Sequence, residues 1–395
     1  MSNNLKYSFN CPSRENDATS IAKAQFDKVL IVFFVLSSKL VKPKIQNLTA
    51  FSGTLPIIMK KPLIIALLLL SNLIFSQDGF YGNEKEIENI EKYNKEEIEV
   101  EIDKEIKIFG TLLKPKNEFD KILVIIAGTG QISQNAHNYL TEYLLGNNIG
   151  VFRFDKRGVG KSSGEYNDQP KFYSNDFIKI FEQLRKSKSI SNKKIGFLGH
   201  SLGGIVSIQA IEKNIKPDFL IQWSVPIGKP RDLLKYQIKN GIKNYDKLII
   251  GESTEERIAS LNYVHNLIDK NPNKTAWELW KIGKKESKKL NINKKSFSNY
   301  LMPHHVEFAR IDNLKTYKNI DCPTLFIIGE EDILVDPRQS KTELDKIANP
   351  DIELKKINGL NHFMTKEGVE WNTNKIYDVD LVFKEYIVKW IKNIN

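Results

Sequence analysis

One stretch of this 395-residue chain has the pattern of a serine nucleophile on a tight turn. Ser201 lies in a Gly-His-Ser-Leu-Gly motif at 199–203, after the apolar run 195–198 and before a helical-looking stretch. A strand, a sharp turn and a helix in this order are typical of a serine raised above a sheet. Gly199 and Gly203 would let the strained turn and the helix approach closely. Chance matches to such a motif are common, so the assignment needs further support. The chemistry also requires a base and an acid.

Candidates for the acid and the base follow two later apolar runs. The segment 325–329 is typical of a buried strand, and the acidic residues 330–332 come directly after it. His362 follows the strand-like segment 352–357 and is the only histidine after His305. A hydroxyl, a carboxylate and an imidazole can supply a nucleophile, an orienting acid and a general base.

The chain order serine, acid, histidine resembles the α/β-hydrolase fold family, in detail its serine aminopeptidase-like and esterase branch. The segment 155–162, Asp-Lys-Arg-Gly-Val-Gly-Lys-Ser, fits that branch, and the resemblance covers residues 97–393. It implies that Ser201 attacks an acyl carbonyl while His362 moves the proton and Asp332 orients the imidazole.

The acid has three rivals, which are Glu330, Glu331 and Asp336. We prefer Asp332 because Gly-x-x-Asp after the strand matches the acid loop of the family. Asp336 stands before Pro337 and has the pattern of a helix N-cap.

The resemblance also implies an oxyanion hole made of two backbone N–H groups. One would be that of Leu202, and the other would come from the glycine turn that contains Thr129. Many relatives place His-Gly before this residue, whereas this chain has Ala127-Gly128. The assignment of the second donor to Thr129 therefore stays open at this point.

Alternation of apolar strands and helices predicts an α/β protein with a doubly wound, mostly parallel sheet. The Lys-rich stretch 226–319 interrupts this alternation and predicts a helical cap after the sixth strand. Within the cap, Trp277, Trp280 and Tyr300 are predicted to face the substrate pocket. The pair His304-His305 is predicted to lie on the surface or in a pocket lid.

The N-terminal region has the pattern of an export signal. Met59-Lys60-Lys61 precedes an apolar segment, 63–75, which is short of the ~20 residues that cross a bilayer. We predict a non-native or disordered extension at 1–58, a signal peptide at 59–76 and a hydrolase domain at 77–395. The protein would then be periplasmic or secreted, without a stable membrane span after cleavage. A cytoplasmic arm followed by a membrane-surface anchor is the alternative.

Composition argues against several other classes of protein. The formal net charge is +11, and residues 1–76, with nine Lys/Arg and three Asp/Glu, contribute +6 of it. The remaining charges are interspersed, so no nucleic-acid partner is expected. Cys322 is the only cysteine beyond Cys11, and no Cys/His spacing is typical of zinc. We expect no cofactor and no metal, and the oligomeric state is not indicated.

These patterns predict a serine hydrolase that cleaves carboxylic esters of a small-molecule acyl substrate. The alternative is a serine aminopeptidase, which would need cap carboxylates such as Glu278, Glu286 or Glu307 to hold an α-ammonium group. A non-catalytic binding protein that kept the fold is a third reading.

Overall fold

The computed structural model of the protein describes residues 84–242, 253–289, 292–366 and 378–394. The predicted extension at 1–58 and the predicted signal peptide at 59–76 lie outside the described residues, as do the first residues of the predicted hydrolase domain. Within the described ranges, no helix combines the length and the apolar character that a membrane crossing requires.

The described residues form an eight-stranded, mostly parallel sheet. Its strands are β1 (Asn94–Glu101), β2 (Lys107–Lys114), β3 (Lys121–Ile126), β4 (Gly150–Phe154), β5 (Lys194–His200), β6 (Leu220–Trp223), β7 (Thr324–Gly329) and β8 (Ile352–Ile357). Their spatial order is β1-β2-β4-β3-β5-β6-β7-β8. The hairpin β1–β2 and the pair β2–β4 are antiparallel, and every pairing from β4 to β8 is parallel. The predicted sheet type is therefore confirmed.

Helices cover both faces of this sheet. The described helices are α1 (Asn138–Gly146), α2 (Pro170–Arg185), α3 (Leu202–Glu212), α4 (Leu233–Lys239), α5 (Thr254–Lys270), α6 (Ala276–Lys289), α7 (Lys294–Asn299), α8 (Pro303–Ala309), α9 (Leu314–Lys318), α10 (Pro337–Ile347) and α11 (Leu381–Lys392). Val124 of β3 shares one apolar cluster with Phe177 of α2 and Ile205 of α3. Its neighbour Leu123 shares another with Leu140 of α1 and with α11. Successive strand residues point to opposite faces, so the sheet is doubly wound.

Helices α4 to α9 lie between β6 and β7, where the sequence predicts a cap. Several of them share an apolar cluster that includes Leu261, Val264 and Phe297 and contains no strand residue. Helix α5 begins with a capping box, in which Ser253 and Glu256 bond reciprocally to each other's backbone N–H. The boundaries of the cap at 226–319, taken as a domain, stay a prediction.

Two expectations for cap side chains differ from the structure, because Tyr300 is enclosed and does not face a pocket, and His305 does not lie on the surface. Tyr300 is buried within the cap cluster, and Trp277 is 60% exposed and stacks on Trp280 at 5.2 Å between ring centroids. Trp277 is exposed because α6 turns Leu279 inward, which leaves Trp277 on the outer face. His305 is buried rather than on the surface, because it packs parallel to His265 at 5.7 Å.

The buried histidines of the cap predict a loss of stability in acid. Burial lowers the pKa of His265 to about 3 and that of His305 to about 4. A neighbouring histidine also lowers each pKa, His305 that of His265 and His304 that of His305, and Arg231 contributes to both. Asp269 acts in the opposite direction on the pKa of His265. A depressed histidine pKa means that protonation favours the unfolded chain. This contribution to stability is therefore fully present above about pH 6.5 and is lost as the pH falls toward 4.

We therefore expect the thermal unfolding midpoint to decrease when the pH is lowered from 7 to 5. The variant His265→Leu lacks the group that must be protonated, so its midpoint should fall less than that of the wild type. Differential scanning calorimetry at both pH values measures this difference. Equal decreases in the two proteins would contradict a role for His265.

Candidate active site

Ser201 occupies a strained turn at the carboxyl end of β5. Its φ is 53° and its ψ is −117°, a conformation that non-glycine residues rarely adopt. The Ser201 N–H donates to the Trp223 carbonyl at 2.9 Å, and its own carbonyl accepts from the Gly204 N–H at 3.0 Å. These bonds hold the turn in place between β6 and the first turn of α3.

The two glycines of the motif stand where a side chain has no room. A Cβ atom on Gly199 would lie 2.5 Å from the Gly204 Cα, and one on Gly203 would lie 1.9 Å from the Ile126 carbonyl oxygen. Real Cβ atoms do not approach backbone this closely. The close packing of α3 against β3 and β5 therefore depends on glycine at both positions.

The change Gly203→Ala is expected to destabilise the protein by about 3 kcal/mol or to prevent folding, because the clash is with rigid backbone. Gly146→Ala is the matched control, since a Cβ at that helical position has nothing within 4 Å. Chemical denaturation of both variants measures the difference. A Gly203→Ala protein as stable as Gly146→Ala would contradict the packing argument.

Asp332 and His362 form a buried acid–base pair. The Asp332 carboxylate lies 2.8 Å from His362 Nδ1 through Oδ2, and its Oδ1 accepts from the N–H groups of Leu334 and Val335 at 2.8 Å each. Both side chains are almost fully buried. With the proton on Nδ1 held by the carboxylate, the imidazole presents Nε2 as its basic nitrogen.

Two of the three rival acids have other partners. Asp336 caps α10 by accepting from the Arg338 N–H at 2.9 Å, and exposed Glu330 pairs with Lys356 at 2.6 Å. Glu331 is half-exposed. Of the four carboxylates weighed from the sequence, Asp332 is the one that contacts His362.

The strand order explains why residues distant in the chain lie at one edge of the sheet. The strands β3, β5, β7 and β8 are parallel, so the loops that follow them leave at the same edge. Ser201 follows β5, Asp332 follows β7 and His362 follows β8. The ring of His200, the neighbour of Ser201, lies 5.2 Å from the ring of His362.

His200 is a packing neighbour in this site. Its ring stacks on Trp223 at 4.1 Å, and the Trp223 Nε1–H donates to the His362 carbonyl at 3.1 Å. Burial lowers the pKa of His200 well below its ordinary value. This histidine is therefore neutral, and it supports the His362 loop through Trp223.

The expected oxyanion donors lie on two elements beside the serine. Leu202 is the first residue of α3, where helical N–H groups have no partner within the helix. The loop 128–130 follows β3 and lies against the serine, because a Cβ on Gly128 would lie 3.4 Å from the Ser201 Cβ. Thr129 is exposed in this loop. The role of both N–H groups stays a prediction.

Sequence reasoning missed an ion pair that holds this loop. Buried Lys156 donates through Nζ to the carbonyls of Gly128 and Gly130, the latter at 3.0 Å, and pairs with Asp168 at 2.7 Å. Asp168 also accepts from the Gly130 N–H at 2.7 Å. The pattern Asp-Lys-Arg-Gly marks the segment, but it does not show that the lysine turns inward.

The neighbours of Lys156 brace its turn. Asp155 accepts from the backbone N–H groups of Gln134 at 2.7 Å and Lys161 at 2.8 Å. Arg157 forms a two-point pair with Asp176 at 2.9 and 2.5 Å.

Sequence reasoning also missed a contact between the cap and the acid loop. Tyr236, in α4, donates to the Asp332 carbonyl at 2.9 Å. The amides of Gln237 and Asn240 donate to the Leu334 and Ile333 carbonyls at 3.2 Å each. The first cap helix thus fixes the backbone around the acid, a contact that no motif marks.

In the part of the chain that the structure describes, no group of three or more His, Cys, Asp or Glu side chains is placed to hold a metal ion.

Comparison with solved structures agrees with this architecture. The Pyrococcus furiosus esterase Pf2001 is similar over 79% of this chain and 99% of its own, with a TM-score of 0.50 and 19% identity. At this identity the likeness shows the fold. The chain has the α/β-hydrolase fold, and the predicted resemblance and fold class are confirmed.

Comparison with sequence families gives the class of protein. A family described as serine aminopeptidase, S33, matches residues 117–239. An uncharacterized 31.7 kDa protein of Escherichia coli is 26% identical over 54% of this chain and 73% of its own. An acyl transferase of Shewanella hanedai is 27% identical over 36% of this chain and 45% of its own. With the fold, these matches support a hydrolase of the serine type, and they do not separate ester cleavage from peptide cleavage.

Proposed function

We propose that the protein is a serine hydrolase that cleaves carboxylic esters through an acyl-enzyme. The observation that carries this proposal is the buried Asp332–His362 pair at the edge of the sheet where Ser201 occupies a strained turn. A nucleophile, a base and an orienting acid at one sheet edge form the arrangement that acyl transfer requires.

In the proposed reaction, the Ser201 oxygen attacks the ester carbonyl carbon while His362 Nε2 accepts the hydroxyl proton. The carbonyl electron pair moves to oxygen, where the N–H groups of Leu202 and Thr129 stabilise the negative charge. The intermediate collapses, and His362 returns its proton to the departing alcohol. Water then attacks the carbonyl carbon of the acyl-enzyme while His362 accepts its proton. The bond to the Ser201 oxygen breaks, His362 returns the proton to this oxygen, and the carboxylic acid is released. Asp332 stabilises the imidazolium in both halves.

The contacts of two cap carboxylates support the proposal of ester cleavage rather than recognition of a free N-terminus. An aminopeptidase needs an unpaired carboxylate near the serine to hold the α-ammonium group. Glu278 instead caps α6 and pairs with Lys274 at 2.9 Å, and this lysine lowers its pKa to about 2. Glu286 accepts from the Tyr263 hydroxyl at 3.1 Å, and Glu307 is exposed on α8. Two of the three carboxylates named from the sequence, Glu278 and Glu286, therefore already have partners within the cap.

Two matched substrate series test the proposal. One consists of p-nitrophenyl esters from acetate to octanoate, and the other of aminoacyl p-nitroanilides, both assayed with the wild type and with Ser201→Ala. We expect the wild type to hydrolyse the esters and Ser201→Ala to leave them intact. Faster turnover of the aminoacyl anilides would favour the aminopeptidase reading. No turnover in either series by folded protein, together with no reaction with a fluorophosphonate, would favour a binding protein.

A further inference from the structure

We propose that Lys156, paired with Asp168, is a positioning residue that aims the Thr129 N–H at the oxyanion formed on Ser201. The inference rests on the proposed function, and it adds the residues that organise the oxyanion hole. It starts from the loop 128–130, which is held by an ion pair from the segment after β4 rather than by its own turn.

The Lys156–Asp168 pair holds this loop at three backbone atoms. Lys156 donates to the Gly128 and Gly130 carbonyls, and Asp168 accepts from the Gly130 N–H at 2.7 Å. The lysine side chain is 3% exposed, and its ammonium also lies over the Tyr173 ring at 4.7 Å from the centroid. Tyr173 in turn donates to the Ala127 carbonyl at 3.3 Å.

The geometry of the peptide bond relates these contacts to the direction of the Thr129 N–H. The peptide bonds of the described chain are trans, so the C=O of Gly128 and the N–H of Thr129 point in opposite directions. Because Lys156 binds that carbonyl, the Thr129 N–H must point away from the lysine. Gly128 packs against Ser201, with a Cβ position 3.4 Å from the serine Cβ. The Thr129 N–H, which has no acceptor among the residues that the structure describes, is therefore turned away from Lys156 in a loop that lies against the nucleophile.

A buried charge is a costly way to brace a loop. An ammonium group out of water costs several kcal/mol unless it is paired and hydrogen-bonded. Burial lowers the pKa of Lys156, and Asp168 acts in the opposite direction. The next residue, Arg157, braces the same turn through Asp176 and makes no bond to loop 128–130. This arginine provides a matched control for loss of a cation that only supports the turn.

The test compares Lys156→Met with Arg157→Met in folded, purified protein. The assays measure kcat and KM for the best ester, and the affinity for a trifluoromethyl ketone. The Ser201 oxygen adds to the carbon of this ketone, its proton passes to His362, and the ketone oxygen becomes an oxyanion. For Lys156→Met we expect kcat and the ketone affinity to fall together by about 10²-fold, with KM nearly unchanged. For Arg157→Met we expect both to stay near the wild-type values, even where its melting temperature falls.

A second variant keeps the proposal testable if Lys156→Met does not fold. Asp168→Asn retains an acceptor for the Gly130 N–H and removes the charge that pairs with Lys156. Its kcat and ketone affinity should fall in parallel, and KM should not. The inference is overturned if the folded Lys156 or Asp168 variant matches Arg157→Met in both quantities while Ser201→Ala is inactive. An active Ser201→Ala would instead reject the proposed function itself.

Discussion

Replacing Ser201 with alanine is expected to lower kcat by about 10⁴–10⁶-fold on every ester that the wild type cleaves. The hydroxyl is the proposed attacking group, and its removal leaves only substrate binding and the oxyanion donors. The fold should persist, because the bonds that hold the turn to Trp223 and Gly204 are made by the backbone of residue 201. Steady-state kinetics and circular dichroism measure the two effects.

Ser207→Ala is the matched control for this change. Ser207 lies further along α3, where its hydroxyl donates to the Gly204 carbonyl at 2.7 Å and accepts from Gln222 at 2.8 Å. Its loss should cost about 1 kcal/mol of stability and leave kcat near the wild-type value. A Ser201→Ala protein as active as Ser207→Ala would show that another group is the nucleophile.

The second large effect is expected for Asp332→Asn, with a loss in kcat of about 10⁴-fold. An amide can still accept the bonds from the Leu334 and Val335 N–H groups, so the loop should stay folded. It cannot hold the proton on His362 Nδ1 or stabilise an imidazolium. The loss should therefore appear in kcat, without a matching fall in the unfolding temperature.

Asp336→Asn separates the acid that we prefer from its nearest rival. Asp336 caps α10, and asparagine caps helices about as well as aspartate. This variant should retain both the activity and the stability of the wild type. A large loss of kcat in Asp336→Asn, with Asp332→Asn active, would reverse the assignment of the acid.

The strands and turns could be predicted from the sequence because their signals are local. The run of apolar residues that ends at Ile126 is a buried strand, as its composition predicts. Asp336 before Pro337 caps a helix in the structure, as the pattern indicates. The parallel order of the strands then brings the loops with Ser201, Asp332 and His362 to one edge of the sheet.

The errors concern side chains whose direction depends on tertiary packing. Tyr300, predicted to face the pocket, is enclosed by the cap cluster, and the amphipathic face of α6 leaves the side chain of Trp277 60% exposed. The inward position of Lys156 has no local signal, because a lysine is ordinarily exposed and only the folded loop 128–130 supplies its acceptors. The contact of Tyr236 with the acid loop likewise joins segments almost a hundred residues apart in the chain.

The most direct test of the central claim is to identify the residue that reacts with a fluorophosphonate. The reagent phosphonylates an activated serine oxygen with loss of fluoride, and peptide mass spectrometry locates the adduct. We predict one adduct per chain, on the peptide that contains Ser201. It should be absent in Ser201→Ala and should form more slowly in Asp332→Asn. Full labelling of Ser201→Ala, or no labelling of the folded wild type, would contradict the assignment of this protein as a serine hydrolase that uses Ser201.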